Sequence, residues 1–351
     1  MDKISKETGE TGWKTSAFAA ILMVAIVGMS FGLGVPLLSM NLELMTGSGL
    51  AIGINVLSAA LSTVAVAPFA PKILARFPVR PLLIFCLLLA AFSFVFYRLF
   101  ENVGLWLIMR FVSGLAITVL FIASETWISQ LTPEHLRARM LSVYSVALAA
   151  GFGLGGLLVA WLGIAGWVPF LAGALICALG VLPLLLPGPQ LLPPDLDETS
   201  PRVILSYFGK APRIMLAGLA FGAIETAATH FSPIWALRAG MEQADAIRLI
   251  AVGAVGVIAL QFPIGWLGDK MDRHKLLLIC GLATLVAPLA MWMTIGISTL
   301  AVYSIFFVYV GMGEGIYILA LVLIGQKFSK KEMAAATAAL ILMYGLGSMV
   351  S

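Results

Sequence analysis

Apolar runs long enough to cross a hydrocarbon core recur about eleven times along this chain, separated by short polar breaks, and no other feature restricts its fold as much. A bilayer core takes about 20 apolar residues per helix. Inside lipid every backbone N–H and C=O must be bonded within the protein, so runs of this length are helices. They fall near residues 17–40, 50–70, 82–100, 104–128, 140–162, 165–187, 212–236, 246–267, 276–296, 299–325 and 334–351. The chain is 61% hydrophobic and 11% charged, with a mean hydropathy of +1.05. Soluble domains carry about 25% charged residues, so the expected fold is an all-α integral membrane protein.

Cys86, Cys177 and Cys280 each sit inside an apolar run, away from His or Asp clusters. That pattern indicates neither a disulfide framework nor a metal site, and no cofactor is expected. The polar segment before Thr15 leads into a run too long for a signal-peptide core, so the first helix is expected to be retained.

Charge gives an orientation. With the N-terminus in the cytoplasm, all of the 21 Lys and Arg except Arg98, Arg110, Arg238 and Arg248 fall on the inner side. This is the positive-inside bias, and it accounts for the +4 net charge without a nucleic-acid partner. Basic loops of this kind set topology and touch anionic lipid. The expected location is the inner cell membrane, multi-pass. The long break between the sixth and seventh runs is rich in Pro and carries Asp195, Asp197 and Glu198, the composition of a solvated linker. The chain therefore divides into a six-helix bundle at 1–187, a linker at 188–210 and a second bundle at 211–351.

Sliding the chain over itself by 197 places Pro36 on Pro233 and Gly114 on Gly311. A shift of 194 lays the loop Pro71–Arg76 over Gly265–Lys270. Two parallel halves related about the membrane normal are an architecture of secondary transporters.

The loop Gly265-Trp-Leu-Gly-Asp269-Lys270-Met-Asp-Arg273-His-Lys275 resembles the G-x-L-x-D-[RK]-x-x-R-x-[RK] signature of the major facilitator superfamily. Arg110-Phe-Val-Ser-Gly114 is similar to that family's R-x-x-x-G motif, and Gly151-Phe-Gly-Leu-Gly155-Gly156 to its glycine-rich antiporter motif without the proline. Within the superfamily, Arg110–Gly114, Ser124-Glu125-Thr-Trp127 and Phe262-Pro-Ile-Gly265 look most like the YcaD-like branch. The first-half loop departs from the pattern, with Pro71 and Ala75 where the family has Gly and Asp. The resemblance implies the major facilitator fold, two pseudo-symmetric six-helix bundles, of which eleven of twelve transmembrane helices are accounted for before Ser351. It also implies a small-molecule substrate moved by alternating access; a monomer without enzymatic activity is expected. For Asp269, Lys270 and Arg273 it implies a cytoplasmic latch between the halves, with Gly265 in the same loop, and for Arg110 a part in proton relay.

Several residues stand out by their own chemistry. A carboxylate at bilayer depth costs roughly 2.5–3.5 kcal/mol on insertion scales. Glu225 lies at the middle of the seventh run, on a helical stripe with Thr229 and Ser232, just before Pro233. Burial in an apolar cavity disfavours the charged form of a carboxyl group, which suits Glu225 to taking up and releasing a proton. Glu314 is bracketed by Gly311, Gly313 and Gly315, with Tyr317 placed to donate a hydrogen bond to it. Glu125 stands near the inner end of the fourth helix, within reach of Arg137 and Arg139 for a gate-closing salt bridge. Asp269 and Arg273, four apart, face each other if their loop is helical. The glycines of the fifth run suit a rocking interface between halves and suggest export. Trp106, Trp127, Trp161 and Trp167 suit an interfacial belt.

The function expected is a proton-coupled secondary transporter, an antiporter in the efflux direction for a small organic or amphipathic solute. No G-x-x-x-x-G-K-[ST] loop points to ATP as the drive, and no H-E-x-x-H or G-x-S-x-G points to an intramembrane enzyme. The alternative, drawn from the end of the sequence inside the eleventh run, is a truncated non-transporting protein or sensor.

Overall fold

A computed structural model describes residues 2–186 and 200–350. The linker carboxylates Asp195, Asp197 and Glu198 lie outside the described residues. Among those residues the secondary structure is entirely helical. In chain order the helices are α1 (Asp2–Thr46), α2 (Gly49–Val66), α3 (Ala70–Arg76), α4 (Val79–Leu99), α5 (Val103–Leu131), α6 (Arg137–Leu162) and α7 (Val168–Leu179). They continue with α8 (Pro201–Lys210), α9 (Pro212–Thr226), α10 (Ser232–Arg238), α11 (Gln243–Lys270), α12 (Arg273–Thr294), α13 (Thr299–Lys327) and α14 (Met333–Val350). Among the described residues ten segments are long and apolar enough to cross a membrane, or eleven when a bent pair is included.

The bent pair is α8 and α9, which meet at 102°. Helix α8 is a surface element: Ile204 and Tyr207 are buried while Arg202 and Leu205 face outward. The seventh crossing is α9 and α10, joined by a π-helical turn at Ala227–Phe231 just ahead of Pro233. A prolyl residue has no N–H to give back to the preceding turn, so an irregular turn at this point follows from the sequence. Within the stripe expected for Glu225, Thr229 and Ser232, Thr229 stays beside Glu225 while Ser232 bonds its own backbone, with Oγ donating to the Ala227 carbonyl at 3.2 Å.

Two helix pairs approach so closely that backbone meets backbone. On α1 and α6, a Cβ at Gly28 or Gly32 would strike the main chain at Leu148 or Phe152, and one at Gly151 or Gly155 would strike Ala25 or Met29. On α9 and α14, a Cβ at Gly218 or Gly222 would meet the backbone of Leu340 or Tyr344, and one at Gly347 that of Leu219. Gly28 and Gly32 map onto Gly218 and Gly222 by one shift, 218 − 28 = 222 − 32 = 190. Small residues four apart permit such contact, which lipid cannot compete with. Gly114 of α5 abuts Ser62 of α2, and Gly311 of α13 abuts Gly256 of α11, so that pair is also equivalent in packing. The Pro36–Pro233 match is not, since 32 to 36 and 222 to 233 differ by two helical turns.

These contacts correct one expectation. Gly151 and Gly155 of α6 pack against α1, another early helix, and not against the later helices, so their close contact carries no information on direction of transport. The tryptophans divide as well. Trp161 and Trp167 are exposed, but Trp106 and Trp127 are fully buried, with Trp106 donating its indole N–H to Phe100 O at 2.6 Å.

Burial is concentrated at the end of the molecule that carries the basic loops. There, Ile122–Gln130 of α5, Ile318–Ile324 of α13 and Met333–Leu342 of α14 are buried throughout. The seams between the earlier and later helices are α6 against α11 and α2 against α14, with α13 touching α5 and α6.

Candidate functional site

Three carboxylates gather where α5, α9 and α13 come together. Glu125 is buried, at 3% exposure. Glu225 and Glu314 are half-buried. Each is held by hydroxyl groups. Tyr317 Oη lies 2.9 and 2.8 Å from the two oxygens of Glu125. Ser145 of α6 donates to Glu314. Tyr344 of α14 donates to Glu225 at 3.2 Å, and the Thr229 hydroxyl bonds the same carboxylate.

Glu314 is within electrostatic reach of both Glu225 and Glu125. Among the described residues none of the three pairs with a Lys, Arg or His. Phe221 stacks on Tyr317 with ring centroids 4.8 Å apart and lies 5.7 Å from Tyr344, giving the cluster an aromatic wall. Ser124 and Tyr144 add a hydroxyl pair at 2.9 Å on the α5–α6 side.

Two expectations are corrected here. Tyr317 donates to Glu125 across the seam between early and late helices, not to Glu314 on its own helix. Glu125 makes no bridge to Arg137 or Arg139. It stands too deep for that, with its carboxylate occupied by Tyr317. Arg137 instead donates from Nε to Ser129 O at 3.3 Å and lies against Gly325, where a Cβ would collide with its guanidinium.

The second constellation is the loop at the basic end. Asp269 pairs with Arg139, Oδ2 to Nε 3.0 Å, across the α6–α11 seam. Its carboxylate also lies against the backbone amides of Ala138 and Arg139. Neither oxygen has a well-aligned hydrogen bond there, so the contact is one of charge with the dipole of the α6 N-terminus. Gly265 permits this approach, because a Cβ there would meet the Ser142 side chain.

Arg273 does not face Asp269 on a helical turn, since α11 ends at Lys270 and α12 begins at Arg273. It donates to Gly268 O at 2.8 Å and to Glu134 O at 3.3 Å, with the Glu134 carboxylate 3.8 Å away. Lys270 rests over the Trp266 ring at 3.9 Å and makes no ion pair among the described residues. Neutral groups complete the closure: Gln130 Nε2 donates to Lys330 O at 2.6 Å, and Gln326 Nε2 to Glu134 at 3.1 Å.

Arg110 stands apart from both groups, beside a small cavity between α1, α4 and α5. Among the described residues no group of three or more His, Cys, Asp or Glu has the geometry of a metal site.

Comparison with known proteins agrees with this architecture. A sequence profile of the Major Facilitator Superfamily matches residues 17–351. An uncharacterized MFS-type transporter of Bacillus subtilis, YfkF, is 27% identical over 275 residues, covering 75% of this chain and 68% of the relative. YcaD of Escherichia coli, described in the same words, is 25% identical over 268 residues, 74% of this chain and 68% of the relative. Among solved structures, the human organic anion transporter MFSD10 superposes with a TM-score of 0.75 at 16% identity, covering 96% of this chain and 92% of that one. FucP in its outward conformation gives 0.73 at 17%, with 95% and 89% covered. The proton:xylose symporter XylE gives 0.71 at 15%, with 97% and 87% covered.

Proposed function

The chain belongs to the Major Facilitator Superfamily, a family of membrane transporters that bind small-molecule substrates, and on that premise we propose that it is a proton-coupled secondary transporter of a small organic solute. The observation that carries this reading is the cluster of Glu125, Glu225 and Glu314. Three carboxylates in a membrane interior with no cationic partner among the described residues are held at a cost of a few kcal/mol each if charged. Protons remove that cost, and a group that gains and loses a proton as the site changes its exposure is what coupling requires. The hydroxyls of Tyr317, Tyr344, Ser145 and Thr229 can donate to a carboxylate or accept from a carboxylic acid, so they serve either protonation state.

In this reading residues 1–187 and 211–351 are the two halves, joined through 188–210. The N-terminus and the basic loops face the cytoplasm of an inner membrane, and the protein works as a monomer. Asp269, Arg139 and Arg273, with Gln130 and Gln326, form the cytoplasmic latch, and the described conformation is closed on that side. Arg137 acts as a wedge against Gly325, and Lys270 is left to lipid.

The test is proton movement in proteoliposomes loaded with a pH-sensitive dye and challenged with panels of organic cations, organic anions and neutral sugars. One class should drive a solute-dependent pH change that Glu225→Gln and Glu314→Gln abolish, while exchange of the same solute at equal pH persists. Wild-type proton movement in both variants would overturn the coupling role of this cluster.

A further inference from the structure

The cavity beside Arg110 lies some distance from the carboxylate cluster, on the second turn of α5 and between α1 and α4. Its volume is about 30 Å³, and its polar lining is Ser30, Ser93, Tyr97, Arg110 and Ser113, closed on one side by Phe94. A water needs about 10–15 Å³ by this measure, so the space holds two waters, or one halide ion or one carboxylate group.

Most of its polar lining is already satisfied. Ser93 donates to Ala90 O at 2.7 Å and Ser113 to Arg110 O at 3.2 Å, while Ser30 shares a proton with the Cys177 thiol at 3.0 Å. Two groups are not. Tyr97 is 2% exposed, and its hydroxyl has only the Ser113 side chain beside it, without a well-formed hydrogen bond. Arg110 makes no ion pair among the described residues, and its buried Nε–H has no acceptor.

A guanidinium stays protonated under all ordinary conditions and only donates; Arg110 is half-buried with its Nε enclosed, and a charge partly withdrawn from water is disfavoured while it lacks a partner. Two unfilled donors, one of them a fixed cation, meet in a space with no carboxylate. We infer that this cavity is a small-anion site, in which the Arg110 guanidinium and the Tyr97 hydroxyl together bind a single carboxylate group or a halide. The site complements the carboxylate cluster. An anionic solute would be repelled by three ionised glutamates and is compatible with three protonated ones, so an anion seated at Arg110 and protons on the cluster favour each other.

Trp106 is a built-in reporter, fully buried with its ring 5.2 Å from that of Tyr97. The purified full chain in nanodiscs is titrated with sodium bromide or sodium acetate against sodium methanesulfonate at constant ionic strength, reading melting temperature and tryptophan emission. Saturable stabilisation with a matching emission change is expected in the wild type. Arg110→Gln should abolish it, and Tyr97→Phe, which keeps the ring on Trp106, should weaken it about tenfold, the factor of one hydrogen bond to a charged group.

A response to acetate alone assigns the site to a carboxylate on the solute, and a response to both anions to a free inorganic ion. No saturable response in the wild type, or one unchanged in Tyr97→Phe, would overturn the proposal, even if Arg110→Gln failed to fold. The measurement is made at equilibrium without a gradient, so its failure is distinct from a failure of proton coupling.

Discussion

At the scale of single residues, the bond that ties Tyr317 to Glu125 links chemistry to conformation. It spans α13 and α5, a late and an early helix, and uses both carboxylate oxygens. Tyr317→Phe removes the hydroxyl while leaving the ring on Phe221, so a buried carboxylate loses its donor. Leaving such a group unsatisfied costs about 1–3 kcal/mol. The variant should lose roughly tenfold or more in transport rate with little change in the amount of folded protein, measured as solute exchange in proteoliposomes. Unchanged exchange would show that the bond is ornamental to the cycle.

The charged members of the site were legible in the sequence, because Glu225, Glu314 and Asp269 are anomalies in apolar surroundings or in a recognisable loop. Their partners were not. Tyr344, Ser145, Gln130 and Gln326 are neutral polar residues of kinds common in membrane helices, and local spacing cannot say which helix lies opposite. The same limit misdirected Tyr317 to Glu314 and Glu125 to Arg137 and Arg139, both of which are near in sequence.

At the scale of helices, the glycines at 28 and 32 and at 218 and 222 make two zippers of one design. Sequence comparison by the prolines missed this register, because the prolines lie at different depths. Gly32→Val and Gly222→Val each drive a branched side chain into the backbone of the facing helix. Overpacking of this kind costs typically 1–3 kcal/mol. Each variant should lower the melting temperature in detergent by several degrees, whereas Gly153→Val, at a site with open space around it, should not. Equal effects at all three positions would mean that lost backbone flexibility, and not close approach, is what valine perturbs. The π-helical turn at Ala227–Phe231 belongs to this scale too. It places an irregular backbone beside Glu225, in the helix where membrane depth makes irregularity most costly.

For the whole molecule, the closure at the basic end defines which state is described and how to trap it. The Gln130 side chain reaches the Lys330 backbone across the seam. The native cysteines Cys86, Cys177 and Cys280 are all buried, so they offer little background to cross-linking. Gln130→Cys combined with Lys330→Cys should form an oxidation-dependent disulfide that arrests transport, and a reductant should restore it. Asp269→Asn should reduce that cross-link and slow transport while leaving membrane insertion intact. A cross-link formed as readily in Asp269→Asn would remove the carboxylate from the latch.

Helix α6 takes part in two kinds of contact at once. Its glycines bind it to α1 backbone to backbone, and its first turn meets Asp269 of α11. Helix α14 repeats this on the other side, zipped to α9 and lying against α2. Each zipped pair is a stiff strut whose outer member is also half of a seam. A displacement of α6 or α14 at a seam is expected to carry α1 or α9 with it, as through a crank, because backbone meets backbone along each strut.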